Sequence, residues 1–221
     1  CMLHNRVLSR TFSAIRRDGY DDELVAKIVP GDAARSISPH SGILISSFSG
    51  TDSTTNSSSY PSRLMAENVR DKTRLCNMHF YMPPELTAVD LMSDGETDRG
   101  LLDTLLAVLP EFGIQPFEAR KESTGFIFNR IWAAIKRESL AVVAEGVARP
   151  EDVDGMFRVN WGVPAGPFQM MDLVGLDVVL DIENHYAAEF PHLPKHVREL
   201  LQSYVDAGKL GLKTGEGFYR Y

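Results

Sequence analysis

The chain has 221 residues, of which 43% are hydrophobic, 24% charged and 9% aromatic. This length accommodates one large domain or two small ones, and the apolar fraction is sufficient for a sizeable core. A formal net charge of −7 argues against a uniformly basic nucleic-acid surface. No apolar run approaches the ~18 residues of a transmembrane helix. We therefore expect neither nucleic acid nor membrane among the partners.

The cysteine content and the N-terminus bear on the compartment. Two cysteines, Cys1 and Cys76, cannot form a disulfide framework, which favours a reducing environment. The sequence shows no secretory signal. These features predict a cytoplasmic location, with a mitochondrial one open if the N-terminus is truncated. The chain begins with cysteine and not methionine, which suggests a fragment or a processed product.

The first half of the chain carries a mixed helix and strand pattern. Residues 1–42 have no convincing periodic face and predict a poorly defined N-terminal segment. A Ser- and Thr-rich run at 46–62 is typical of a polar loop. Around it, the pattern predicts strands over 42–45, 74–81, 87–92 and 115–120, and helices starting at Pro61 and over 98–109. The strand–helix–strand order predicts a parallel sheet.

After Gly125 the pattern becomes helical. It predicts helices over 126–147, from Pro150, from Gly166 through Tyr186, and over 197–205. The Gly-rich tail over 209–221 is not periodic, and Phe218 and Tyr219 are expected to pack on a helix. The predicted fold class is α/β followed by all-α. A partial Rossmann-type sheet over 43–122 precedes a C-terminal helical domain over 123–221.

Several common catalytic motifs are missing from the sequence. The six histidines form no His-Glu-x-x-His pattern, and His192 with His196 is interpreted as a solvated helix end, so no metal site is expected. There is no Gly-x-Ser-x-Gly elbow. Residues 1–50 also lack the Gly-x-Gly-x-x-Gly turn with which dinucleotide-binding domains open.

His79 is the first candidate for chemistry. It ends the apolar strand that starts at Leu75, and ligands of open α/β sheets gather at the carboxyl ends of strands. Asp90 on the neighbouring strand could accept a hydrogen bond from one imidazole nitrogen and raise the basicity of the ring. The alternatives are that His79 is structural and that Asp90 begins a loop.

Six motifs, taken in order, resemble one known family. They occupy residues 56–59, 79–83, 123–130, 162–168, 172–177 and 209–219. From about residue 43 to its C-terminus, the chain resembles the L-3-hydroxyacyl-CoA dehydrogenase family. Each motif alone is modest, whereas six in the same order are highly specific.

The resemblance implies both an architecture and an activity. It implies a Rossmann-type NAD domain, a helical domain that forms a homodimer, and NAD-dependent oxidation of an L-3-hydroxyacyl-CoA. By motif, His79 is the base, Asp90 is the acid that stabilises its charged form, and Ser58 and Asn129 hold the substrate oxygen. Asn56 is the expected cofactor contact.

The chain departs from the family pattern at several points. The family acid is normally glutamate, so Asp90 is one methylene shorter, and Met82 stands where asparagine is usual. The missing glycine motif argues against NAD binding by this chain in the usual way and leaves open whether the chain itself is active. Two alternatives stay open: a dehydrogenase of a free hydroxy acid such as a sugar acid, and a non-catalytic, truncated dimerisation module.

Overall fold

The chain divides into two compact units, Cys1–Asn129 and Arg130–Tyr221. A computed structural model describes residues 44–46, 53–55, 62–66, 69–81 and 86–221. The predicted N-terminal segment over 1–42 lies outside the described residues. The boundary expected between 122 and 123 stays a prediction.

The first unit is built on a five-stranded sheet whose strands lie in chain order. The strands are β1 (Leu44–Ser46), β2 (Ser53–Thr55), β3 (Leu75–Phe80), β4 (Ala88–Met92) and β5 (Gln115–Ala119). Helix α1 (Ser62–Ala66) lies between β2 and β3 along the chain, and α2 (Arg99–Val108) connects β4 to β5. The predicted strand–helix–strand unit is therefore confirmed.

The expectation of a purely parallel sheet needs correction. The pairs β2–β3 and β4–β5 are parallel, whereas β1–β2 and β3–β4 are antiparallel, so the sheet is mixed. The reason is connection length. Only residues 81–87 join β3 to β4, and a parallel crossover needs about a dozen residues or more. By contrast, α2 gives β4 and β5 the long crossover that parallel pairing requires.

The two faces of β3 and β4 carry different kinds of side chain. Because side chains alternate along a strand, Cys76, Met78 and Phe80 share one face of β3. With Val89 and Leu91 of β4 they pack into a buried core. The leucines of α2, followed by Phe112 and Ile114, complete that core. His79 and Asp90 consequently lie on the opposite face of the sheet.

The second unit is helical, which confirms the fold class of an α/β part followed by an all-α part. Its helices are α3 (Phe128–Ala144), which begins in the first unit, α4 (Pro150–Trp161), α5 (Pro167–Val174), α6 (Leu176–Glu189) and α7 (Lys195–Asp206). Among the described residues, no helix has both the length and the apolar character needed to cross a membrane.

One predicted helix is in fact two. The segment from Gly166 through Tyr186 breaks at Gly175, between α5 and α6. Gly175 has a φ of 106°, which side-chain-bearing residues rarely adopt. The backbone N–H of Leu176 then donates to the carbonyl of Leu210, at 3.2 Å. The apolar periodicity continued across the glycine, which hid this break.

Two fully buried carboxylates tie the loops of this unit to its helices. Asp154 of α4 accepts from the first backbone N–H groups of α5, those of Phe168 and Gln169, both at 2.9 Å. Asp172 of α5 accepts from Phe218 and Tyr219 in the same way, also at 2.9 Å. Both side chains are 0% exposed. They replace water as the acceptor for buried backbone donors.

The tail packs on the helices as expected. The Phe218 ring lies 4.7 Å from that of Phe168 and 4.6 Å from that of Tyr204. Tyr219 packs partly buried against the same core, and its hydroxyl donates to Asp154 at 2.9 Å. The predicted structural role of the Gly-Phe-Tyr segment is confirmed.

A buried lysine lies on α3. Lys136 is 5% exposed, and its neighbour Arg137 forms an ion pair with Glu183 of α6, with 2.8 Å between Nε and Oε2. Burial lowers the pKa of Lys136 from 10.5 to about 8, with Glu183 opposing the shift and Arg137 adding to it. The native state therefore holds this proton less tightly than the unfolded state does, which costs stability below pH ~8 and is relieved as pH rises towards ~10.5.

We expect Lys136→Met to stabilise the protein. Methionine fills similar volume without a charge, so the free energy of unfolding at pH 7 is expected to rise by about 3 kcal/mol. Urea unfolding at pH 7 and pH 10 measures it, and the gain should shrink at the higher pH. Lys195→Met is the matched control, because Lys195 is exposed. Equal gains at both pH values would contradict the buried-charge explanation.

Candidate active site

His79 lies near the carboxyl end of β3, as predicted. It is the last residue but one of the strand, and its direct partner across the antiparallel β3–β4 pair is Asp90. The side chains of such opposed residues lie on one face, with Cβ atoms about 5 Å apart. The alternative that Asp90 begins a loop is wrong, since Asp90 is the central residue of β4.

A strained turn places an aromatic ring on the imidazole. Gly125 has a φ of 76° and Phe126 a φ of 56°. Positive φ is unusual for a bulky residue, and such strain is often found at functional sites. The Phe126 ring stacks on His79 with 5.7 Å between centroids and is itself 2% exposed. This turn delays the predicted helix, which starts at Phe128 and not at Phe126.

The start of α3 brings an amide to the imidazole. Asn129 is the second residue of α3, and its Nδ2 lies 3.2 Å from Nε2 of His79. An amide N–H can only donate, so in this contact the amide would be the donor and Nε2 the acceptor. His79 is 5% exposed. The structure thus brings together two of the predicted site residues, His79 and Asn129.

The Asp90 carboxylate is held by groups that the sequence analysis did not single out. The hydroxyl of Tyr81 donates to its Oδ2, and the backbone N–H of Phe128 donates to the same oxygen at 3.4 Å. The Tyr81 ring meets His79 edge-on with 4.7 Å between centroids. Asp90 is 3% exposed. Tyr81 therefore contacts both members of the predicted acid–base pair.

The remaining predicted site residues cannot be placed. Ser58 and Asn56 lie outside the described residues, and so does Met82. Their roles, like those of His79, Asp90 and Asn129, stay predictions.

Two family models match the chain, one after the other along the sequence. A family model described as "3-hydroxyacyl-CoA dehydrogenase, NAD binding domain" matches residues 52–123, and one described as "3-hydroxyacyl-CoA dehydrogenase, C-terminal domain" matches residues 125–221. The chain belongs to the 3-hydroxyacyl-CoA dehydrogenase family. This confirms the resemblance that the six motifs indicated.

Individual family members agree with this assignment. The chain is 45% identical over 152 residues to the 3-hydroxyacyl-CoA dehydrogenase-like protein LAM1 of Cochliobolus heterostrophus, covering 67% of this chain and 32% of that protein. It is 34% identical over 168 residues to the 3-hydroxybutyryl-CoA dehydrogenase of Clostridioides difficile, covering 76% of this chain and 59% of that protein. The chain thus spans about one third of the length of the first relative and about three fifths of the length of the second.

A solved structure of the family has the same fold. The crystal structure of (S)-3-hydroxybutyryl-CoA dehydrogenase from Ralstonia eutropha is similar to this chain with a TM-score of 0.69 and 32% sequence identity. The similarity covers 76% of this chain and 59% of that structure. The 3-hydroxyacyl-CoA dehydrogenase fold, with an α/β part before a helical part, therefore applies to this chain.

A nearby thiol takes no part in the site. Cys76 of β3 is 0% exposed and belongs to the core on the face opposite His79. Burial raises the pKa of its thiol to about 12, a shift that its contact with the Met92 carbonyl only partly opposes. A thiol in this state is not a nucleophile at neutral pH. His79 is therefore the residue at which proton chemistry is to be tested.

Proposed function

We propose that this chain belongs to an NAD-dependent enzyme that oxidises an L-3-hydroxyacyl-CoA to the 3-ketoacyl-CoA. The observation that carries the proposal is the 3.2 Å contact between Nδ2 of Asn129 and Nε2 of His79. It pairs a base with an oxygen-binding amide at the carboxyl end of a strand, where open α/β sheets bind ligands.

In this proposal, His79 removes the proton of the substrate hydroxyl. The proton moves from the 3-hydroxyl to Nε2, and the C–O single bond becomes the ketone as the carbon loses its hydride. Asn129, aided by Ser58, holds the substrate oxygen. Asp90 stabilises the imidazolium that forms, because an anion close to a histidine favours its charged form.

The functional groups of the candidate site are compatible with a nicotinamide cofactor. Imidazole, amide and carboxylate groups can move a proton and hold an oxygen, but they cannot accept a hydride. When bound, NAD supplies that acceptor. We propose Asn56 as its contact in this chain, and residues 52–123 are the part that matches the family's NAD binding domain.

The substrate class follows from the family, and the test should keep the alternatives apart. We propose that the substrate is an acyl-CoA ester. A free hydroxy acid, such as a sugar acid, would use the same histidine, acid and amide. A non-catalytic dimerisation module would retain the fold alone.

The decisive experiment measures cofactor binding and turnover on the same preparation. NADH is titrated into the chain, and NADH formation is then followed with NAD and L-3-hydroxybutyryl-CoA. The D-ester and free L-3-hydroxybutyrate are the matched controls. Turnover of the L-ester alone supports the proposal, whereas turnover of the free acid alone supports the alternative. A chain that binds no NADH would rule out NAD-dependent catalysis by these 221 residues.

We also propose that the chain forms a homodimer through its helical unit. Helix α4 exposes three large apolar side chains, with exposures of 63% for Met156, 83% for Val159 and 63% for Trp161. Met156 and Val159, three residues apart, lie on neighbouring positions of the helix surface. We expect Val159→Asp to convert the dimer to a monomer without unfolding it. Sedimentation equilibrium measures the mass, and a wild-type monomer would contradict the proposal.

A further inference from the structure

Tyr81 bridges the two groups that carry the proposed proton chemistry. Its hydroxyl donates to Oδ2 of Asp90, and its ring edge lies against His79 with 4.7 Å between centroids. A second edge-on contact, to Phe128 at 5.2 Å, fixes the ring from the other side. A tyrosine ring has few rotatable bonds, so three contacts are enough to hold it in one orientation.

The carboxylate that Tyr81 binds has little freedom of its own. Asp90 lies in the middle of β4, is 3% exposed and carries one methylene less than a glutamate would. Both described donors, the Tyr81 hydroxyl and the Phe128 backbone N–H, reach the same oxygen, Oδ2. A buried carboxylate keeps its charge only when such donors replace water.

We propose that Tyr81 is a positioning residue, whose hydroxyl holds the short Asp90 carboxylate beside His79. This inference rests on the proposed function, because it assigns Tyr81 to the proton-accepting step at His79. The hydroxyl makes up for the missing methylene: a longer carboxylate could approach the imidazole unaided, whereas the aspartate needs a donor to fix it. Tyr81 acts on the proton chemistry through Asp90.

The first test follows the imidazole directly and needs no cofactor. NMR of the His79 ring gives the pH at which it titrates in the wild-type chain and in Tyr81→Phe, Asp90→Asn and Tyr81→Phe/Asp90→Glu. We expect Tyr81→Phe to move the midpoint to lower pH, most of the way to that of Asp90→Asn. The double variant is expected to restore the midpoint, because glutamate reaches further without the hydroxyl.

Rescue by the longer acid separates positioning from mere packing. Tyr204→Phe is the matched control, since Tyr204 lies in the helical unit and packs on Phe218, and it should leave the His79 midpoint unchanged. An unchanged or higher midpoint in Tyr81→Phe would overturn the proposal. So would a lowered midpoint that Asp90→Glu fails to restore.

Turnover gives an independent readout. With L-3-hydroxybutyryl-CoA, kcat of Tyr81→Phe is expected to fall about tenfold with KM little changed, a small part of the roughly 10²–10⁴-fold that a general base contributes. The double variant should recover most of the loss. If neither the wild-type chain nor any variant turns over but the midpoints move as expected, NAD-dependent turnover by this chain is refuted while the coupling of Tyr81 to His79 stands. If turnover is normal in Tyr81→Phe, the positioning role fails and the function stands.

Discussion

Replacing His79 by glutamine is expected to lower kcat for L-3-hydroxybutyryl-CoA by about 10²–10⁴-fold. Glutamine can still accept a hydrogen bond at the position of the ring, but it cannot take a proton at neutral pH. The substrate hydroxyl would then have to lose its proton to water while the carbon loses its hydride. Stopped-flow measurement of NADH formation, at saturating NAD, separates this chemical step from product release.

The stability of the variant decides how that loss is interpreted. His79 is buried against Phe126, Tyr81 and Asn129, so its replacement also disturbs packing. Thermal unfolding should show a folded protein with a somewhat lower Tm. His192→Gln is the matched control, since His192 is exposed, and it should leave kcat unchanged. Turnover close to the wild-type value in His79→Gln would refute the role of His79 as the base.

The sequence predicted most elements of the fold because its signals were local. A proline in the first turn predicted α4, and leucines at helical spacing predicted α2. What local pattern cannot report is how strands pair. The antiparallel β3–β4 pair depends on the length of the link over 81–87, and that length could have been weighed against the minimum for a parallel crossover.

The site shows the same limit at the level of side chains. His79 and Asp90 could be singled out because their residue types suit acid–base chemistry, and Asn129 was assigned through the family motif. Tyr81 was missed, since an aromatic residue after a strand is more often packing than function. The positive φ of Phe126 could not be foreseen, because bulky residues seldom adopt it, although Gly125 before it was a signal for a turn. The contacts of Tyr81 and Phe126 with His79 both depend on tertiary structure.

The strongest effect on stability is expected for substitutions of Asp172, although this residue has no role in the proposed reaction. Its two oxygens accept from the backbone of Phe218 and Tyr219, and the hydroxyl of Tyr221 donates to Oδ2 at 3.1 Å. Burial, with the Asp172 charge as a further cause, raises the pKa of Tyr221 to about 12, so the hydroxyl remains a donor at neutral pH. The carboxylate thus anchors the tail to α5.

The backbone of the tail lies very close to Asp172. A Cβ added to Gly217 would lie 2.1 Å from Oδ1 of Asp172, and one added to Gly211 would lie 2.2 Å from its carbonyl oxygen. The backbone must therefore approach the carboxylate closely, which is why glycines stand there.

We expect two substitutions of Asp172 to lower the free energy of unfolding by different amounts. In Asp172→Asn, the amide –NH2 faces one backbone donor, which leaves that donor without an acceptor at a cost of about 1–3 kcal/mol. In Asp172→Ala, both backbone donors lose their acceptor, so the loss in unfolding free energy should be roughly twice as large. Urea unfolding measures both, and Asp181→Asn is the control because Asp181 is exposed. If Asp172→Ala were no less stable than Asp172→Asn, the tail would be held by the packing of Phe218 and not by the carboxylate.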